Sequence, residues 1–182
     1  MDAGTDSGLD VLGIRTMTRK ARGKRPEPSV RLLIAALFSS VEDGVKMLRE
    51  YPQLLHAKTD RGESALHWMA VENQVDAVKF LLSRGAAADE PANNGDTPLM
   101  SAATLGHEEI CAALIRAGAN VNAADENEDT VLHHAAQTGK VAVIAMLVAA
   151  GANPRAINTV NETPGDRALP RLRKKVLAAL AG

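Results

Sequence analysis

Residues 95–102 read Gly95-Asp96-Thr97-Pro98-Leu99-Met100-Ser101-Ala102, and this stretch returns along the chain at a fixed interval. One interval earlier stands Gly62-Glu63-Ser64-Ala65-Leu66, and one interval later Glu128-Asp129-Thr130-Val131-Leu132. Asn161-Glu162-Thr163-Pro164-Gly165 follows at the same spacing again, with no gap anywhere. The steps from 62 to 95, from 95 to 128 and from 128 to 161 are equal. A constant period of this size marks a stack of repeated supersecondary units, each too small to bury its own apolar face.

The register persists through each unit. Leu33, Leu66, Leu99 and Leu132 share a column, as do Ala36, Met69, Ala102, Ala135 and Ala168. Leu48, Leu81, Leu114, Leu147 and Leu180 share another, and Gly85, Gly118 and Gly151 a third. Each unit reads as two short helices. Thr97-Pro98 suits a helix start, because the hydroxyl can cap and proline fits the first turn. Gly106 interrupts, and a second helix from about Glu108 to Ala117 carries Ile110, Cys111, Leu114 and Ile115 at helical spacing. Gly118 ends it as a left-handed cap. The polar run from Asn120 to Asp125 is turn-forming and reads as a projecting finger.

This pattern resembles the ankyrin repeat, most closely in Thr97-Pro98-Leu99-Met100-Ser101-Ala102 and in Gly118-Ala119-Asn120-Val121-Asn122-Ala123. The resemblance covers residues 29–182 and implies an all-α solenoid of stacked helix pairs with projecting β-turn fingers. The units are 29–61, 62–94, 95–127, 128–160 and 161–182. The first lacks the signature, as an N-terminal cap should. The last has Gly165 for the column leucine, Asp166 where His67 and His133 stand, and Pro170 inside its first helix. Its charged second helix is read as turning Leu172, Val176, Leu177 and Leu180 inward, which suits a C-terminal cap. With both ends capped, a monomer is expected.

Residues 1–28 do not share the repeat. They hold Arg15, Arg19, Lys20, Arg22, Lys24 and Arg25, followed by Pro26 and Pro28. Little apolar surface offsets the entropy of ordering, so the segment reads as disordered. It is either a solvated leader or a basic arm for nuclear import, nucleic acid or a membrane surface.

Composition excludes several classes. The formal net charge is -1, which fits neither a general nucleic-acid binder nor an acidic solvating chain. The single cysteine allows no internal disulfide, and no segment is apolar enough to span a bilayer. No secretory leader is apparent, so a cytoplasmic protein is expected, or a nuclear one if the basic run is an import signal.

Nothing reads as catalytic, and no cofactor or metal site is expected. Cys111 shares its column with Val45, Val78, Ile144 and Leu177, so it reads as a buried hydrophobe. His67 and His133 are two repeats apart, too distant to share an ion. The resemblance assigns them to bonds with backbone and threonine groups between units. The run Asp125-Glu126-Asn127-Glu128-Asp129 lacks the glycine and distal glutamate of a calcium loop.

The resemblance implies a partner-binding face built from finger tips and the exposed side of the first helices. On this chain that face takes Arg61, Glu63, Asn93, Asn94, Asp96, Glu126, Asn127 and Asp129 from the fingers. The helices add Trp68, Val71, Glu72, Ser101, Thr104, Leu105, His134, Gln137 and Thr138. Trp68 is notable because its column elsewhere holds Ala35, Ser101 and His134, so packing does not plainly require a ring. From Asp60 to Asp129 there are 13 acidic and 4 basic side chains, a formal balance of -9. Such a field favours a basic partner. The expectation is a scaffold or regulator that binds another protein through its concave face. The competing reading is a nucleic-acid- or chromatin-associated adaptor that uses the basic segment.

Overall fold

The computed structural model describes residues 29–181. The first unit holds α1 (Val30–Ser39), α2 (Val41–Glu50) and a 3-10 turn, Pro52–His56. The second holds α3 (Ala65–Val71) and α4 (Val75–Ser83), and the third α5 (Pro98–Leu105) and α6 (Glu108–Arg116). The fourth holds α7 (Val131–Thr138) and α8 (Val141–Ala149), and the fifth α9 (Pro164–Arg167) and α10 (Arg173–Leu180). First helices pack on first helices and second helices on second helices, giving two layers. Among the described residues strand pairing is limited to the isolated bridges Lys58–Ser64 and Ala124–Thr130.

The repeated columns are the core. Leu33, Leu66, Leu99 and Leu132 are fully buried between units, as are Leu81, Leu114 and Leu147 in the second layer. Helices this short are marginal alone, so their stability comes from this stacking. Cys111 is buried in the same layer, and burial pushes its thiol up to about 12. It therefore stays protonated and packs as a small hydrophobe.

The helix ends follow from local chemistry. Ser64 caps α3 and Thr97 caps α5, each accepting a hydrogen bond from the backbone N–H three positions on. The second helices of the second, third and fourth units end at glycines with φ near 90°, and a Cβ at Gly118 would touch nothing within 4 Å. Glycine is needed there for its backbone conformation, not for space.

Between units the chain forms tight fingers. Each is closed by a backbone bond, as from Ala92 N–H to Asp96 O (2.9 Å) and Asp125 N–H to Asp129 O (3.1 Å). Neighbouring fingers are joined by Asn93 N–H to Arg61 O (2.9 Å), Glu126 N–H to Asn94 O (3.1 Å) and Thr159 N–H to Asn127 O (3.0 Å).

The last unit departs from expectation in two respects. Its first helix stops at Arg167 and Ala168 is extended; Pro170 has no N–H to offer the Asp166 carbonyl and bars Leu169 from helical geometry, so the helix cannot run on. Leu177, expected to face inward, is 48% exposed. Its column neighbours Cys111 and Ile144 are buried between units, and among the described residues no further unit covers Leu177. Residues 1–28, with the basic run, lie outside the described residues.

Candidate protein-binding face

The first helices and fingers form one face, and two clefts lie on it. The first, about 430 Å3, is lined by Asp60, Arg61, Glu63, His67, Trp68, Val71, Ala92, Asn93, Asn94, Asp96 and Ser101. The second, about 360 Å3, is lined by Val71, Asn94, Asp96, Ser101, Thr104, Leu105, Asp125 and His134. Val71, Asn94, Asp96 and Ser101 belong to both, so the clefts adjoin as one groove that draws residues from four units.

Two histidines hold the helix starts to the next finger. His67 Nδ1 accepts from Ser64 N–H (3.1 Å), and Nε2 faces Asp96 O (3.1 Å). A backbone N–H can only donate and a carbonyl can only accept, so the proton sits on Nε2 and the ring is neutral. Burial holds the His67 pKa below its ordinary 6.5, opposed by the hydrogen bond to Asp96 O. His133 repeats the arrangement with Thr130 N–H (3.0 Å) and Glu162 O (2.9 Å). Asp166 takes the histidine's place in the last unit and accepts from Thr163 N–H (3.1 Å). Met100 in the third unit cannot.

The acidic finger residues meet different fates. Asp96 lines both clefts and accepts only from Ser101 Oγ (2.6 Å) among side chains. Glu63 accepts from Thr59 Oγ1 (3.1 Å). Asp125 Oδ1 caps its own turn, bonding Asn127 N–H (2.8 Å) and Asp129 N–H (3.0 Å), while Oδ2 meets His134 Nε2 (3.1 Å). Asp129 is expected from the sequence on the partner-binding face, and the structure corrects this. It is 4% exposed, accepts from Asn158 Nδ2 (2.7 Å) and pairs with Arg167 (2.7 Å). The oxygens of Asp125 and Asp129 are thus engaged in turn and packing bonds.

The remaining expected residues divide clearly. Arg61, Asn93 and Asn94 stand on the finger and line the first cleft, and Asn93 Nδ2 donates to Asp60 O (3.0 Å). Trp68 is half-buried against the core and walls the first cleft, and its buried Nε1 has no hydrogen-bond partner. Val71 and Leu105 are exposed apolar side chains, 39% and 43%. Thr104 bonds back to Met100 O (2.8 Å). Glu72, Glu126, Asn127, Gln137 and Thr138 line neither cleft, and Thr138 is half-buried with its hydroxyl turned to Ala135 O (3.3 Å). Sequence reasoning passed over Asp60, Ala92 and Asp125 as groove residues. Their position beside the finger turn was the available signal.

No cluster of His, Cys, Asp or Glu among the described residues is placed to hold a metal ion. No helix among them is long and apolar enough to cross a membrane.

Comparison with known proteins identifies the repeat. A family model described as ankyrin repeats, three copies, matches residues 32–125 and 85–158. The chain is 35% identical over 95 residues to human Neurogenic locus notch homolog protein 1, covering 52% of this chain and 4% of that protein. It is 36% identical over 98 residues to the mouse RelA-associated inhibitor, covering 52% of this chain and 11% of that protein. The Danio rerio Neurogenic locus notch homolog protein 1 is 43% identical over 67 residues, 37% of this chain and 3% of that protein. The chain therefore spans only 3% to 11% of the length of these relatives. With its in-register units, histidine-closed junctions and this match, the chain belongs to the ankyrin-repeat family, whose repeats are non-enzymatic scaffolds for protein–protein interaction.

Proposed function

We propose that the chain binds a partner protein along its concave finger-and-first-helix face, and that the partner presents a basic surface there. The observation that carries this reading is the continuous groove, built from side chains that packing does not consume. Val71 and Leu105 supply exposed apolar area in its floor. Asp60, Glu63 and Asp96 supply negative charge along it. Apolar anchors ringed by charge suit a protein interface, where a few central contacts carry most of the affinity and charge speeds association. One relative's name describes an inhibitor associated with RelA. Covering a partner's surface is a mode of inhibition open to a rigid solenoid of this kind.

The test is capture of partners from source cells by the immobilised full chain, beside a Val71→Glu/Leu105→Glu variant shown to be folded by circular dichroism. Both side chains are exposed, so the fold should survive. A partner captured by the native chain and lost with the variant supports the groove. Retention by the folded variant places binding elsewhere.

A further inference from the structure

The last junction of the stack shows what fits between two acidic fingers. Arg167 stands in the column of Trp68, Ser101 and His134, one repeat period separating each from the next. Its guanidinium reaches Asp129 of the preceding finger (2.7 Å) and Glu162 of its own (3.5 Å), one nitrogen to each. Asn158 adds a donor to Asp129 (2.7 Å).

The same columns two units earlier hold Glu63 and Asp96, and there the long cation is replaced by Ser101 and the amide donor by Ala92. Ser101 satisfies one oxygen of Asp96 (2.6 Å) but is too short to reach across to Glu63. Among the described residues no Lys, Arg or His lies within ion-pair distance of Glu63 or Asp96, although Arg61 stands in the lining of the cleft. The cleft of about 430 Å3 lies between these carboxylates, with Trp68 in its wall. Among the described residues no hydrogen bond fixes the indole, since Nε1 has no partner there.

We infer that this cleft binds an arginine side chain of the partner, its guanidinium bridging Glu63 and Asp96 as Arg167 bridges Asp129 and Glu162, and its plane lying against Trp68. This rests on the reading that the groove is the partner-binding face. Arginine rather than lysine follows from geometry. Two carboxylates on separate fingers need two donors held at a fixed angle, and a flat ring favours a flat cation. An ammonium on a flexible stem offers neither.

Trp68 is the only tryptophan in the chain, so its fluorescence and indole N–H resonance report on the cleft directly. The full chain is titrated with acetyl-Gly-Leu-Arg-Leu-Gly-amide and with the peptide in which lysine replaces the arginine. The arginine peptide is expected to shift the Trp68 signals and to bind about tenfold more tightly than the lysine peptide. Glu63→Gln/Asp96→Asn, close in shape to the native residues, is expected to remove at least about tenfold of that affinity. Ser101→Arg should fill the cleft from within, abolishing peptide binding while raising Tm. Equal binding of the two peptides, an unaffected double variant, or a Trp68 signal that neither peptide moves overturns the inference. The groove reading is judged separately. If partner capture is still lost with Val71→Glu/Leu105→Glu, that reading survives and only the arginine assignment falls.

Discussion

The junction between the fourth and fifth units and the junction between the second and third use the same columns to opposite ends. At the former, Asp129, Asn158, Glu162 and Arg167 bond one another and Asp129 is withdrawn from solvent. At the latter, Glu63, Ala92, Asp96 and Ser101 leave the carboxylates along an open cleft. The backbone is the same in both: a finger, a capped helix, and a histidine bonded to the next finger's carbonyl. A repeat fold can thus open a junction into a cleft by shortening two side chains, without moving the frame.

The largest effect that would break this comparison is a difference in what the two aspartates contribute to stability. Asp129→Ala takes from Asn158 its acceptor and from Arg167 the nearer of its two carboxylates in a largely dry setting, a loss of about 3 kcal/mol. Asp96→Ala removes one bond from a serine that can turn to water, a loss of less than about 1 kcal/mol. Urea unfolding of both variants checks this. Because units are coupled only to their neighbours, the Asp129 variant should also show faster amide exchange in residues 164–181. Equal destabilisation by the two substitutions would mean that the junctions do not differ as described.

The two junctions also explain what was legible in the sequence. The period, the capping Thr97-Pro98 pair and the leucine columns are demanded by packing, and packing repeats, so the fold could be read directly. The groove residues Trp68, Val71, Asp96, Ser101 and Leu105 were found as what remained once the columns were explained. Asp129 was misplaced because its column says only that a carboxylate stands beside a finger. Its burial depends on Arg167, far along the chain in the last unit, and on the length of that side chain. Leu177 was misplaced because a column shows which face a residue takes, not whether a neighbouring unit lies over it.

His67 and Met100 sharpen the comparison at the helix starts. His67→Met removes the bonds to Ser64 N–H and Asp96 O, a loss of about 1–2 kcal/mol at neutral pH. It should also change the pH dependence. Burial lowers the His67 pKa in the fold below 6.5, so the unfolded chain binds the proton more readily. This contribution to stability is complete above pH 6.5 and is lost as pH falls from there towards the folded pKa. Denaturant midpoints measured downward from neutral pH should decline less steeply for His67→Met. An unchanged slope would show that the imidazole is not held neutral by the fold.

A smaller gain is expected from Ala92→Asn. In three fingers the residue at this position caps its own turn: Thr59 accepts from Glu63 N–H (3.2 Å), Asp125 from Asp129 N–H (3.0 Å) and Asn158 from Glu162 N–H (2.9 Å). Ala92 cannot, and Asn94 Oδ1 serves Asp96 N–H instead (3.2 Å). An asparagine there should stabilise by roughly 1 kcal/mol, read as a higher Tm. No gain in Tm would show that Asn94 already satisfies the turn.

The smallest effect concerns the finger tips. Gly62 and Gly95 hold φ near 80° there, and Glu128 takes the same position at φ 60°. A Cβ on Gly62 would lie 2.7 Å from the Asn93 backbone nitrogen, so the second-to-third junction needs glycine for space as well as for conformation. Glu128 carries its Cβ at the corresponding place in the fourth-to-fifth junction. The strain of a left-handed non-glycine residue is then the only penalty, about 1 kcal/mol, and the added freedom of glycine in the unfolded chain offsets part of it. Glu128→Gly should therefore raise stability by about 0.5 kcal/mol, and Gly62→Ala should lower it by more than glycine's conformational preference alone explains. Paired unfolding curves would decide the point. If Gly62→Ala cost no more than the reverse change gains at Glu128, the room beside the two finger tips would be equal, and the openness of the second-to-third cleft would rest on side-chain length alone.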